Sequence, residues 1–313
     1  MKRALIAAAA ALLSISPAAA QPRTDFSKVE IKTTDLGHGL YLLGWPGGDS
    51  LALTGTDGVL LVDASVPQMV DNIKAAVARI SDKPIRLVIN THAHADHFGG
   101  NEALAGAGAV IIAHDNVRAR MARGWYIAAF NQTIPPSAPG ALPVVTYADA
   151  MTIHFDGETI QLVHAPMAHT DSDTLVYFTR ADVIHASGTF GPETTYPFYD
   201  LSSGGSLTGM IAAEAKMLSL ADARTRFIPD EGEPANRADI QASHDMLVKV
   251  RARVQALVKA GKSEAAAIAA RPTRDLDRTW VHKGGFINGD VVTRMAFQSL
   301  KGIKPPTAPK ATP

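Results

Sequence analysis

The sequence contains no cysteine, and its 30 Lys and Arg residues are balanced by 30 Asp and Glu residues. Without cysteine the chain has no disulfide, no lipid-bearing thiol and no thiolate ligand, so any bound metal must be held by nitrogen or oxygen atoms. Without a basic excess, nucleic acid is a poor partner. Hydrophobic residues still make up 46% of the chain, which is enough to bury a substantial core.

Long apolar runs are also missing beyond the first twenty residues. Those residues read as Lys2-Arg3, an apolar stretch over 4–15 and small residues before Gln21, which is the pattern of a secretory signal peptide. The apolar stretch is shorter than the roughly 20 residues of a membrane-spanning helix, so we expect no stable membrane anchor. Cleavage would leave 28 basic and 30 acidic residues. We expect a periplasmic or secreted protein.

The first half of the chain alternates apolar strand patterns with helical ones. The pattern predicts strands at 40–43, 51–53, 59–63, 85–90 and 109–113, and helices at 70–80 and 115–123. Asp115 is the predicted cap of the second helix. Residues 21–38 are predicted to form a leading segment, and four prolines between 124 and 150 predict a loop-rich crossover.

The second half repeats this order. Strands are predicted at 151–155, 159–163, 174–178, 183–185 and 226–228, with helices at 207–220 and over most of 237–300. Two strand-rich halves, each followed by helices, predict an α/β fold of two packed sheets with helices outside. No linker divides the chain, so we expect a single domain over residues 21–303 and a disordered tail over 304–313.

Four potential metal ligands occur within six residues, just after the strand predicted at 85–90. They read His92-Ala93-His94-Ala95-Asp96-His97, followed by Phe98-Gly99-Gly100. Imidazole and carboxylate are the donors that zinc and its first-row neighbours accept, and a strand that ends in a tight loop can aim several of them inward. The alternative is a His-rich surface turn, but four donors beside a buried strand exceed what a solvated loop requires.

This stretch resembles the His-x-His-x-Asp-His motif of the metallo-β-lactamase superfamily. The surrounding sequence agrees, with Asp57-Gly58-Val59-Leu60-Leu61-Val62-Asp63 before it, Gly99-Gly100-Asn101 after it and Ala168-His169-Thr170 downstream. The resemblance covers roughly residues 39–234. It implies an exported metallo-hydrolase with an αββα sandwich of two mixed β-sheets, helices on the outer faces and metals in a cleft between the sheet edges.

The resemblance also implies a ligand set. His92, His94 and His169 would bind a first zinc ion and leave a position open for water or hydroxide, although His169 could instead be an ordinary core histidine. Asp96 and His97 would begin a second metal site, and Asp96 would also be catalytic by orienting the nucleophile and handling its proton. Asp63 is similar to the acid that supports a ligand in this family; a turn residue at a strand end is the alternative.

Two positions depart from the family pattern. Many superfamily hydrolases have a metal-bridging Asp three residues after a His, where this chain has Gly188; true β-lactamases also lack that Asp. Glu231 stands where the family usually has His. We predict that Glu231 completes an oxygen-rich second site, which would tolerate manganese or iron as well as zinc. In the alternative, that site is weak or empty and Glu231 is a solvated loop acid.

The implied activity is hydrolysis of a small carbonyl substrate by metal-bound hydroxide. A β-lactam is the first expectation, which would make the protein an antibiotic-resistance enzyme, and a lactone or thioester comes next. Hydrolysis of phosphate or sulfate esters stays open, with His282 and Lys283 or the Arg residues near 118–123 as candidate cations. A non-catalytic metal-binding homologue stays open as well. One metal centre can serve several chemistries, so fold and motif do not choose among them.

Overall fold

The computed structural model describes residues 25–191, 195–281, 285 and 287–306. The predicted signal peptide at residues 1–20 lies outside these residues, as do residues 307–313 of the predicted tail. Among the described helices, none is both long and apolar enough to cross a membrane.

Most strands of the first half form one seven-stranded sheet. In sheet order they are β1 (Lys32–Gly37), β2 (Leu40–Trp45), β3 (Gly48–Thr54), β4 (Val59–Val62), β5 (Ile85–Asn90), β6 (Val110–His114) and β9 (Val145–Tyr147). The first four pair antiparallel, and β4, β5, β6 and β9 pair parallel. The carboxyl ends of β4, β5 and β6 therefore lie along the same edge of the sheet.

A second sheet has five strands in sequence order. They are β10 (Ala150–Phe155), β11 (Glu158–Ala165), β12 (Asp173–Phe178), β13 (Val183–His185) and β14 (Arg226–Ile228). The first four pair antiparallel, and β13 pairs parallel with β14. The two sheets are thus both mixed, as expected.

Nine helices are present in the described ranges. They are α1 (Val70–Ala78), α2 (Ala95–Phe98), α3 (Asn101–Gly106), α4 (Asp115–Arg123), α5 (Leu207–Leu220), α6 (Arg237–Lys259), α7 (Glu264–Ala269), α8 (Asp277–Trp280) and α9 (Gly289–Lys301). The predicted helices at 70–80, 115–123 and 207–220 match α1, α4 and α5 closely, and Ser206 caps α5 through a hydrogen bond to the amide of Gly209.

The side-chain pattern of β4 shows how the layers stack. Leu60 and Val62 pack in the cluster between the two sheets, together with residues of β11 and β12. Val59 and Leu61 pack on the opposite face, in the cluster that contains residues of α1 and α3. Side chains of a strand alternate between faces, so a continuous apolar run fits a strand covered on both sides. On the far side of the second sheet, a third cluster joins β12, β13 and β14 to α5, α6 and α9. The fold is an αββα sandwich.

The structure adds detail to two local expectations and contradicts a third. The crossover after Arg123 contains a two-stranded hairpin of β7 (Trp125–Ile127) and β8 (Gln132–Ile134), whose turn includes Asn131 in a left-handed conformation. The leading segment contains β1. The cap of α4 is His114 rather than Asp115, because the His114 ring nitrogen Nδ1 accepts from the amide of Asn116 at 3.1 Å.

Candidate metal centre

The loop that follows β5 is shaped by hydrogen bonds around His97. The carbonyl of His97 accepts from the side-chain amide of Asn90 at 3.0 Å and from the backbone amide of Ala64 at 2.7 Å. Asn90 and Asn101 exchange two further side-chain hydrogen bonds, at 3.0 and 2.7 Å. These bonds hold the start of α2 and of α3 against the end of β5, so the chain turns back and its histidines line the cleft.

Three imidazole nitrogens converge at the base of this cleft. His94 Nδ1 lies 3.2 Å from His92 Nε2 and 2.9 Å from His169 Nε2. All three residues are buried. His169 comes from the loop between β11 and β12, so the group joins the two sheets. The structure brings together the three residues that the resemblance assigned to the first metal.

The ring nitrogens that point away from this group are tied to acceptors. His94 Nε2 donates to Asp200 Oδ2 at 3.3 Å, and His169 Nδ1 donates to the carbonyl of Phe198 at 2.8 Å. The protons therefore lie on those outer nitrogens, and His94 Nδ1 and His169 Nε2 face each other with lone pairs. Two lone pairs 2.9 Å apart repel unless a cation lies between them, so these residues fit a metal ion.

The outer ring nitrogen of His92 also has polar neighbours. This Nδ1 atom lies 3.1 Å from the hydroxyl of Thr91 and 3.3 Å from that of Ser187, which leaves Nε2 for the centre. Burial, and then the neighbouring imidazoles, hold the pKa of His92 well below its ordinary value. A neutral imidazole is the form that binds a metal.

His97 faces a second, more acidic position. Its Nδ1 lies 2.8 Å from Asp63 Oδ2, and its Nε2 lies 3.5 Å from Asp96 Oδ2 and 3.8 Å from Asp230 Oδ2. Burial opposes a charge on His97, but Asp96, Asp63 and Asp230 together hold its pKa well above the ordinary value. The three carboxylates would stabilise any cation here, whether a proton or a metal ion.

Asp63 supports this position from behind, as the resemblance implied. Its two oxygens accept from the amide of Thr91 at 2.8 Å and from the Thr91 hydroxyl at 2.7 Å, in addition to the contact with His97. A carboxylate behind a ligating imidazole orients the ring and raises its basicity.

The acid that approaches His97 from the loop after β14 is Asp230, not Glu231. Within the described ranges, His92, His97 and Asp230 form a second group of three potential ligands. Burial raises the pKa of Asp230 to about 7 against the opposing effect of His97, and its Oδ1 has no hydrogen-bond partner. The exposed Glu231 lines the cleft without joining either group. Its assignment as a ligand stays a prediction, and Asp230 enters as the nearer candidate.

Gly188, where many relatives carry a bridging Asp, sits directly against the centre. A Cβ atom placed on Gly188 would lie 2.4 Å from Cδ2 of the His169 ring. Any side chain at this position therefore displaces His169. The neighbouring Ser187 donates to the buried Asp173 at 3.0 Å.

Sequence reasoning missed Asp230 and the supports that Asp200 and Phe198 provide. Asp200 and the Phe198 carbonyl lie in the segment Tyr196-Pro197-Phe198-Tyr199-Asp200, which resembles a segment of an exported branch of the superfamily. That likeness was the only signal that pointed there, and it gave no role to either residue. Nothing in the sequence says that a backbone carbonyl will meet His169.

The cleft above the donors has a volume of about 450 Å³ and lies beside the β7–β8 hairpin. Its apolar walls come from Val66, Ile127, Phe130, Ile134 and Phe198, and its acidic side chains are Asp96, Asp230 and Glu231. The side chain of Asp96 is 49% exposed, and the neighbouring His97 lowers its pKa despite the opposing effect of burial. Asp96 is therefore an accessible carboxylate at neutral pH.

Comparison with known proteins assigns the family. The model of the metallo-beta-lactamase superfamily matches residues 43–252. The chain belongs to the metallo-β-lactamase superfamily, whose members are metallo-hydrolases.

Solved structures share the fold at low sequence identity. A metallo-beta-lactamase from Pontibacter korlensis is 15% identical, with a TM-score of 0.56 over 70% of this chain and 99% of that one. A metallo-beta-lactamase from Hirschia baltica is 20% identical, with a TM-score of 0.55 over 70% and 98%. The stereoselective inverting sec-alkylsulfatase Pisa1 from Pseudomonas sp. is 16% identical, with a TM-score of 0.68 over 90% of this chain and 52% of that one.

A curated relative is the alpha subunit of 2,4-dinitroanisole O-demethylase from Nocardioides sp. (strain JS1661). It is 26% identical over 151 residues, which are 47% of this chain and 42% of that protein. The chain thus matches less than half the length of this relative.

Proposed function

We propose that this protein is a metal-dependent hydrolase that cleaves an acyl bond of a small carbonyl substrate, with β-lactams the first class to test and lactones and thioesters the next. The observation that carries this proposal is the group formed by His92, His94 and His169. Their three ring nitrogens converge beside an open cleft, with the outer nitrogens of His94 and His169 held by acceptors. Three neutral imidazoles next to an open position are the donor set of a catalytic zinc site.

A bound zinc ion would supply Lewis acidity and would make water a better nucleophile at neutral pH. The chain's own residues supply the rest. The Asp96 carboxylate can accept a hydrogen bond from the attacking water, hold the proton that the water loses and pass it to the leaving atom. The apolar walls around Phe130 and Phe198 exclude bulk water from a substrate seated there.

A second candidate is sulfate-ester hydrolysis. The alkylsulfatase aligns with 90% of this chain, whereas the two lactamases each align with 70%. We therefore add alkyl sulfates and phosphodiesters to the acyl substrates to be tested. A metal-binding protein without catalytic activity is the candidate from another class, and an exported, periplasmic location stays a prediction.

The test is metal analysis of the protein lacking residues 1–20, joined to a panel of chromogenic β-lactams, lactones, thioesters, alkyl sulfates and phosphodiesters. We expect zinc-dependent turnover of acyl substrates that EDTA abolishes and zinc restores. His169→Ala should lower kcat/KM by at least about 100-fold, because it removes a ligand. His154, which is exposed and lies outside the cleft lining, gives the matched control His154→Ala.

Two results would reject the proposal. Turnover that survives EDTA would exclude the metal from the reaction. A zinc-loaded protein that hydrolyses nothing in the panel would favour the non-catalytic alternative.

A further inference from the structure

The cleft has two lobes that meet at the metal ligands. The hairpin lobe, of about 450 Å³, is lined by Ile127, Phe130 and Ile134. The far lobe, of about 310 Å³, is lined by Phe190, Tyr196, Pro197 and Ile287. Both lobes border His169, so a bond held over the first metal position would lie next to both apolar spaces.

Phe198 stands between the two lobes. Its ring lines both of them, with its centroid 5.6 Å from that of His169 and 5.4 Å from that of Phe130. Its backbone carbonyl holds His169 Nδ1 at 2.8 Å. The same residue therefore positions a metal ligand through its backbone and divides the substrate space through its side chain.

Apart from the imidazoles of the candidate metal ligands, the charged side chains on the walls are all acidic. Asp230 and Glu231 line both lobes, and Asp96 lines the hairpin lobe. Among the described lining residues, none is Lys or Arg. Lys32 reaches the same loop but pairs with Glu233 at 3.4 Å and lines neither lobe. The neutral polar side chains on the walls are Gln132 in the hairpin lobe and Thr195 and Tyr196 in the far lobe, where the Tyr196 hydroxyl donates to Asp277.

We propose that the cleft selects uncharged acyl substrates with an apolar group on each side of the scissile bond and discriminates against substrates that carry an anion. This inference rests on the proposed function and specifies its substrate class. An apolar group in each lobe gains from leaving water, whereas a carboxylate seated in a lobe, away from the metal position, would lose its hydration beside Glu231 without meeting a described Lys or Arg side chain.

The reaction itself is ordinary hydrolysis. The C–O or C–N bond of the ester, lactone or lactam breaks, water adds its hydroxyl to the carbonyl carbon, and its remaining proton goes to the departing oxygen or nitrogen. No oxidant, reductant or second substrate is needed.

The experiment uses matched pairs that differ only in charge. One pair is a β-lactam free acid and its methyl ester, and the other is an alkyl lactone without and with a carboxylate on the alkyl group. We expect kcat/KM to be at least about tenfold higher for the uncharged member of each pair, which corresponds to about 1.4 kcal/mol. Equal values, or a preference for the anion, would overturn the inference. Absence of turnover for every member would instead reject the proposed function.

Two variants test the source of the discrimination. Glu231→Gln should reduce the ratio between uncharged and anionic substrates about threefold, because it removes one negative charge from both lobes. Glu233→Gln makes the same change two residues away, outside both linings, and should leave the ratio unchanged. Metal content is measured on both variants, so a lost ion is not mistaken for altered selectivity. An unchanged ratio in Glu231→Gln would reject the role given to Glu231.

Phe198→Ala tests the division into lobes. The backbone carbonyl that holds His169 remains, so metal content should be retained. Two separate lobes should make the wild type discriminate between straight-chain and branched acyl groups. Joining the lobes in Phe198→Ala should reduce the ratio of the two kcat/KM values at least about threefold. Unaltered shape selectivity with full metal content would contradict the two-lobe arrangement.

The candidate cation Lys283 gives a further control. Lys283 lies outside the described residues, so the role of its charge is tested by substitution. If the anionic substrates prove to be preferred, which by itself overturns the inference, loss of that preference in Lys283→Met would assign anion binding to Lys283.

Discussion

At the scale of single side chains, the second metal position depends on which of two adjacent acids reaches His97. The amide of Asp49 donates to the carbonyl of Asp230 at 2.7 Å, which fixes the backbone just after β14. The Asp230 side chain then faces His97, and the next side chain, that of Glu231, is exposed. The orientation of this turn therefore favours Asp230 over Glu231 as the candidate ligand.

We therefore expect Asp230→Asn to weaken the second metal ion at least tenfold, since it removes an anionic donor near His97. Glu231→Gln, the same change one residue later, should keep that ion. The measurement is metal stoichiometry by elemental analysis after dialysis, supported by the absorption spectrum of the cobalt-substituted protein. Loss of one equivalent in Glu231→Gln but not in Asp230→Asn would restore the prediction made from the sequence.

Much of the first metal position could be predicted because its information is local. His92 and His94 lie two residues apart after a buried strand, so spacing alone suggests a shared centre. The contact between Asp200 and His94 joins residues 106 positions apart, and the support from Phe198 uses a backbone atom. A sequence pattern does not predict either contact, because both depend on how the second sheet packs against the first.

At the scale of elements, the packing of α5 on α6 buries an acid. Glu214 is fully buried, accepts from the Ser243 hydroxyl at 2.7 Å and leaves its other oxygen without a partner. Burial raises the pKa of Glu214 from 4.5 to about 8, so the folded protein holds this proton at neutral pH and the unfolded chain does not. The native state then binds more protons than the unfolded state over this range, and stability falls as pH rises.

Glu214→Gln should remove this dependence. In the wild type, the contribution of protonated Glu214 to the free energy of unfolding is fully present below pH 4.5 and is lost by about pH 8. The stability of the variant should therefore exceed that of the wild type most at pH 8 to 9, by on the order of 1 to 4 kcal/mol. Urea unfolding at several pH values measures the difference. Glu102→Gln, at an exposed position of α3, is the control. A gain that is the same at pH 5 and pH 9 would contradict the assignment.

Elements with a strong apolar pattern were predicted well, whereas the β7–β8 hairpin was not. The continuous apolar run of β4 predicts a buried strand, because both faces of this strand are covered. The hairpin strands have three residues each, and nearby Pro135 and Pro136 favoured a loop. The hairpin forms against the rest of the fold, and the amide of Ala128 donates to the Ser202 hydroxyl at 3.0 Å. Tertiary contacts decided its structure.

At the scale of the whole molecule, the metal centre joins the two sheets. Its first group takes His92 and His94 from the end of β5 and His169 from the loop before β12. A ligand that binds only the folded state stabilises it by about 2.7 kcal/mol at 100 times its Kd. For a domain of this size that amounts to a shift in Tm of roughly 4 to 5 °C.

Chelation with EDTA should therefore lower the Tm of the zinc-loaded protein by roughly that amount, and added zinc should restore it. Differential scanning calorimetry at fixed pH measures the shift. His169→Ala, which breaks the link between the sheets, should show a much smaller response to the chelator. A Tm that EDTA leaves unchanged in the wild type would mean that the ion adds nothing to folding.

The close approach of Gly188 to His169 bears on how such sites change over evolutionary time. An aspartate cannot be introduced at position 188 by a single codon change without pushing the His169 ring out of place. A larger residue at position 188 therefore requires a compensating shift of the His169 ring or of the nearby backbone. We therefore expect position 188 to accept few substitutions in this chain, and a bridging acid there to require a second, compensating change near His169.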